Sequence, residues 1–120
     1  MPTPSLTLYT YAKCSTCRDA TQWLRARGIA FTEKPIYEQP PGIAELRRML
    51  AFQGGQLRKL FNTSGIQYRE RGLAEKLPQL SEAEALALLA SDGRLVKRPF
   101  VLGAKVGLVG FDPAKWGVLA

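Results

Sequence analysis

The sequence predicts an α/β fold in the order β-α-β, a helical insertion, then β-β-α, around a small mixed sheet. Three observations carry that prediction. A strand-like run at residues 6–11 leads straight into Cys14-Ser15-Thr16-Cys17, so two thiols fall at a strand-to-helix turn. Residues from about 41 to 91 then read as successive helical segments. Two short apolar strand patterns follow, at 100–102 and 106–109, separated at Gly103. At 120 residues the chain suits one domain with one hydrophobic core, so residues 1–120 are expected to form a single unit with the insertion at about 41–91.

After the first strand, Ser15 or Thr16 opens a helix whose apolar face is Cys17, Ala20 and Leu24, with Trp23 at its margin. Gly28 suits a left-handed helix stop. Residues 29–33 alternate as a strand that ends before Pro35-Ile36, and Pro40-Pro41-Gly42 punctuates the chain. The next helix turns Ile43, Leu46 and Leu50 inward and Glu45, Arg47 and Arg48 outward, and Gly54-Gly55 ends it. Residues 57–80 read as short helices broken at Gly65, Gly72 and Pro78. Ser81-Glu82-Ala83-Glu84 is a capping box that starts an Ala/Leu-rich helix, closed by the turn Ser91-Asp92-Gly93. Leu95-Val96-Lys97 leads into Arg98-Pro99 and the two late strands. Asp112-Pro113 then caps a last short helix carrying Trp116. Tyr9 and Tyr11 alternate on the first strand, which packing explains, and Trp23 and Trp116 read as core or rim anchors.

That order, with Cys-x-x-Cys at the first turn, is the thioredoxin-like arrangement with helices inserted between its halves. In this fold the residue opening the third strand is usually a cis-proline facing the first helix. Pro99 is the candidate, and Arg98 would then lie beside Cys14. A trans proline at the strand entry is the plain alternative.

Chemistry follows from placement. A cysteine at a helix N-terminus meets free backbone N–H groups and the positive end of the dipole, both of which favour thiolate. Cys14 is therefore expected to be the reactive, exposed thiol, flanked by Lys13 and Arg18. Cys17, one turn on, can attack whatever forms on the first sulfur. Two buried inert thiols are the plain alternative. A zinc site needs four ligands, and there is no third cysteine and no histidine, so no metal is expected. The lack of histidine also removes Ser-His-Asp and Cys-His catalysis. A phosphatase-type Cys-x5-Arg loop fails because Ala20 stands six positions after Cys14.

Seventeen Lys and Arg against ten Asp and Glu give a net charge of +7, which suits anionic partners or simply solubility. No run is long and apolar enough to span a membrane, and no export signal is visible at the start, so a reducing cytoplasm and a cycling bond are expected. No helix concentrates the basic residues, so direct DNA reading is not expected.

Several motifs resemble the arsenate-reductase-like (ArsC/Spx) family: Cys14-Ser15-Thr16-Cys17-Arg18 after a first strand, Pro40-Pro41, Phe61-Asn62-Thr63-Ser64-Gly65, and Lys97-Arg98-Pro99-Phe100-Val101. Leu108-Val109-Gly110-Phe111-Asp112 resembles a segment of its Spx-like branch. The resemblance implies arsenate reduction, with Cys14 as nucleophile and Arg98 as an oxyanion ligand. Two further oxyanion arginines of glutaredoxin-coupled members fall near Asn62 and near Val109-Gly110, where this chain is not basic. Lys13, Ser15, Thr16, Asn62 and the helix amides are the candidates to replace them. Thr63 and Ser64 are further candidates, with Asn or Ser capping of the next helix as the alternative. Cys17 resembles the Spx-like branch and offers an internal resolving thiol. No bound cofactor is implied; thioredoxin or glutaredoxin/glutathione would recycle the pair. The alternative implied by the same branch is a redox-sensing transcriptional regulator that binds RNA polymerase. Arg98 as a surface charge, and Arg69 and Arg71 as a solvated face, are the plain readings beside these.

Overall fold

A four-stranded mixed sheet, ordered β2-β1-β3-β4, organises the computed structural model, which describes residues 6–119. Its strands are β1 (Thr7–Thr10), β2 (Thr32–Pro35), β3 (Phe100–Leu102) and β4 (Gly107–Val109). β1 is parallel to β2 and antiparallel to β3, and β3 is antiparallel to β4. The chain therefore follows β-α-β, a helical insertion and β-β-α, a thioredoxin-like fold.

Side-chain alternation splits the apolar residues between the two sheet faces. Leu6, Leu8 and Val101 pack with Ala20 and Leu24 of α1 (Ser15–Ala26) and with Trp116 of the last helix. Tyr9, Phe100 and Leu102 pack on the opposite face with Leu46, Met49 and Leu50 of α2 (Ile43–Phe52) and with Ala85, Leu86 and Leu89 of α5 (Glu82–Ser91). Between α2 and α5 run a 3-10 turn (Leu57–Leu60), the short helices α3 (Ile66–Glu70) and α4 (Leu73–Lys76), and a second 3-10 turn (Leu77–Gln79). Ser81 and Glu84 close the capping box reciprocally, at 3.1 and 2.9 Å. Asp112 caps α6 (Pro113–Trp116) through the Ala114 amide.

Four expectations need correction. β2 starts at Thr32, three residues later than predicted, and includes Pro35. The apolar residues Ile29 to Phe31 belong instead to the exit from α1, where the Ile29 amide returns to the Leu24 carbonyl and Gly28 holds a φ of +66°. Pro35 is tolerated because only even positions donate to β1, as Thr32 does to Leu6 and Ile36 to Thr10, so position 35 points its nitrogen outward at a sheet edge. Ile43 is 43% exposed, because the face buried by α2 runs through Leu46, Met49 and Leu50. Neither Asn62 nor Ser64 caps α3, whose N-cap is Gly65 without a side-chain bond. Arg71 is partly exposed but is more than a solvated charge. It donates to Asp92 at 2.8 Å, and Arg94 grips the same carboxylate at 2.9 Å.

Candidate functional site

The turn between β1 and α1 sets the two thiols. Strand pairing ends at Thr10, and the Tyr11 carbonyl accepts the Cys14 amide at 3.0 Å, so the chain reverses into α1 with Cys14 as its N-cap. The Cys14 sulfur takes the usual place of a capping oxygen and accepts the Cys17 amide at 3.2 Å. Cys14 is half-buried and reachable, whereas Cys17 is only 1% exposed; both are free thiols.

Burial pushes the Cys17 thiol up to about 12, and its hydrogen bond to the Cys14 sulfur and that sulfur's charge add to the rise. A backbone hydrogen bond with Tyr11 and the positive charge of Arg98 oppose it. The positive charge of Arg98 thus reaches Cys17, as the smallest of these influences. Arg98 comes from the segment entering β3, and the Arg98–Pro99 peptide bond is cis. The half-buried guanidinium donates from Nη1 to the Tyr37 hydroxyl at 3.1 Å. It also lies 5.4 Å from the Tyr11 ring centre and 5.5 Å from that of Tyr37, within cation–π range of both. The two rings stack on each other at 4.2 Å with an interplanar angle of 17°.

Sequence reasoning missed Tyr37 entirely and assigned Tyr11 to packing. The only signal for Tyr11 was its place next to the thiol turn; Tyr37 left none, since 61 residues separate it from Arg98. Among the other candidates, Lys13, Ser15 and Thr16 are exposed around the start of α1. Asn62 is half-buried on a neighbouring segment: its amide donates to the Leu95 carbonyl at 2.7 Å, and its side-chain oxygen accepts from Ser64 at 3.4 Å. Phe61 bridges Val96, and the Lys97 amide bonds the Leu60 carbonyl, so this segment braces the approach to Arg98. Thr21, a residue without a sequence signal, is buried in α1 with its hydroxyl on the Arg18 carbonyl at 2.8 Å. Among the described residues no cluster of three or more His, Cys, Asp or Glu could hold a metal, and no helix is long and apolar enough to cross a membrane.

The site thus presents two free thiols one helical turn apart at the start of α1, one reachable and one buried. Residues 9–119 match the ArsC family. The chain belongs to the ArsC family. It is 50% identical to the uncharacterized protein YusI of Bacillus subtilis over 89% of this chain and 91% of that protein. It is 30% identical to the global transcriptional regulator Spx of Enterococcus faecalis, over 89% of this chain and 80% of that one. Among solved structures, an ArsC family related protein from Bacteroides fragilis superposes with a TM-score of 0.90 at 41% identity, covering 96% of this chain and 97% of that one. An arsenate reductase from Vibrio cholerae superposes at 0.84 with 26% identity, covering 99% and 100%. Its relatives thus include a protein named as an arsenate reductase, which shares this chain's fold, and one named as a transcriptional regulator.

Proposed function

We propose that this ArsC-family chain is a thiol-dependent arsenate reductase, a single domain working in the cytoplasm. The observation that carries the proposal is the division of labour between its thiols: an accessible Cys14 at the start of α1, and a buried Cys17 held protonated one turn behind it. Cys14 thiolate attacks arsenate, an S–As bond forms, and one oxygen leaves as water. Arg98 and the first amides of α1 bind the remaining oxygens. Lys13, Ser15, Thr16 and Asn62 lie on the segments from which further oxyanion contacts would come.

Once Cys14 carries arsenic, its sulfur no longer holds negative charge against Cys17. Two of the influences that keep the Cys17 proton in place are removed, while Arg98 and the Tyr11 hydrogen bond still favour thiolate. Cys17 then attacks the Cys14 sulfur. The S–S bond forms, the S–As bond breaks, and its electron pair stays on arsenic. Two thiols are oxidised to one disulfide and As(V) becomes As(III), with arsenite and one water as products. Thioredoxin, or glutaredoxin with glutathione, returns the disulfide to the dithiol.

Steady-state turnover and mass spectrometry test the scheme. Cys14→Ser should abolish turnover. Cys17→Ser should form an adduct on Cys14 and then stall unless a small thiol is added. Full multiple turnover of Cys17→Ser with thioredoxin alone would defeat the internal-disulfide scheme. A second reading draws on the 30% identity to Spx: a disulfide-sensing regulator that docks on RNA polymerase. It replaces the first if arsenate drives no turnover with either reductant while the protein captures RNA polymerase.

A further inference from the structure

We propose that Tyr37, stacked on Tyr11, is the positioning residue that holds Arg98 ready for an anion beside Cys14. The proposal rests on the thiol chemistry assigned above and adds to it the means by which the guanidinium is fixed.

An arginine side chain has four rotatable bonds, and holding it in one place costs entropy. Proteins commonly fix arginine with a carboxylate, as this one does elsewhere: Arg25 with Glu33, Arg47 with Glu82, and both Arg71 and Arg94 with Asp92. Arg98 is held differently. Among the described residues its partners are the Tyr37 hydroxyl and the faces of two aromatic rings, all neutral. A carboxylate would cancel much of its charge and compete with an arriving anion. A phenol hydroxyl accepts one N–H and leaves both the charge and the remaining donors available. The clamp orients Arg98 without neutralising it.

Tyr37 is itself fixed from behind. Gly93 opens the 3-10 turn Gly93–Leu95 and is buried against the Ile36–Tyr37 backbone. A Cβ there would lie 1.9 Å from the Ile36 carbonyl oxygen and 3.2 Å from the Tyr37 Cα. Asp92, just before this glycine, is anchored by Arg71 and Arg94. The phenol therefore stands on a closely packed backbone although Tyr37 is 36% exposed.

Competition between two alkylating reagents tests the clamp without reference to arsenate. Iodoacetate is anionic and iodoacetamide neutral; both form a C–S bond at Cys14 and expel iodide. Their rate ratio cancels any change in the amount of thiolate and reports the positive potential met by an anion. At low salt, with Cys14 modification followed by mass spectrometry, Arg98→Ala should lower the iodoacetate/iodoacetamide ratio by about fivefold, the scale of losing one nearby charge in a wet site. Tyr37→Phe, which keeps the stacked ring and loses only the hydroxyl, should lower it about threefold, as expected for one net hydrogen bond. In an Arg98→Ala background Tyr37→Phe should have no further effect. A wild-type ratio in Tyr37→Phe, an equal drop in both backgrounds, or no effect of Arg98→Ala overturns the proposal. Absence of arsenate turnover in the wild type defeats the reductase reading alone and leaves this ratio as measured.

Discussion

Raising the pH on the reduced protein should destabilise it through Cys17. In the folded chain this thiol is buried and its pKa lies at about 12, against 9.0 for an ordinary thiol. The native state therefore keeps the Cys17 proton across a pH range in which the unfolded chain releases it. Because the folded value is the higher one, the stabilisation is complete below about pH 9 and is lost as the pH rises toward about 12. Within that window the loss is about 1.4 kcal/mol per pH unit, so moving from pH 8 to pH 10.5 should remove about 2 kcal/mol from the unfolding free energy.

Other groups also titrate there, Tyr9 among them, whose hydroxyl is shifted upward chiefly by burial and then by the nearby Glu45 carboxylate. The informative quantity is thus the difference from Cys17→Ala. Urea unfolding under a phosphine reductant, at pH 8, 9, 10 and 10.5, should give a steeper alkaline decline for the wild type than for Cys17→Ala. The oxidised wild type, having no Cys17 proton to lose, should resemble the variant in slope. Parallel curves for reduced wild type and Cys17→Ala, within about 0.5 kcal/mol, would refute the idea that Cys17 is held protonated by the fold.

Gly93→Ala should destabilise the protein by about 1–3 kcal/mol, measured by urea unfolding, because the new methyl would collide with the Ile36 carbonyl rather than with a movable side chain. Trp116→Phe should cost about 1–3 kcal/mol in the same assay. It leaves the Gly110 carbonyl without the indole N–H that now donates to it at 3.0 Å, while keeping an aromatic ring near Trp23 and Phe111.

The fold was legible where local patterns agree with the tertiary contacts. The thiol turn, the Ser81 capping box and the Asp112 cap are all decided within four residues, and each recurs in the structure where the sequence places it. β2 was displaced because an apolar run resembles a strand whether it pairs or merely leaves a helix. The bond from Ile29 back to Leu24 is visible only in three dimensions, as is the outward nitrogen that lets Pro35 join an edge strand. Ile43 was misplaced for a related reason. A helical stripe defines a face only up to a rotation, and the elements packed on α2, rather than its sequence, determine whether position 43 or position 49 is buried.

The site divides along the same line. Cys14 and Cys17 are neighbours in sequence as in space, and Arg98 is tied to a proline that a motif can flag. Tyr37 and Tyr11 have no such link. Tyr11 shares the alternation of Tyr9, but the strand stops at Thr10 and the chain turns. One tyrosine is therefore buried edge-on against Phe100, and the other is left on the rim under Arg98. Tyr37 arrives from the loop after β2 because a glycine in a distant 3-10 turn lets that backbone approach. Asp92 draws Arg71 and Arg94 onto itself and fixes that turn, while Arg98 rests on neutral aromatic groups and keeps its charge. The acidic residue that pairs with arginine in this region thus stands beside Gly93 rather than on Arg98, so under the proposed clamp it orders the support without competing for an anion.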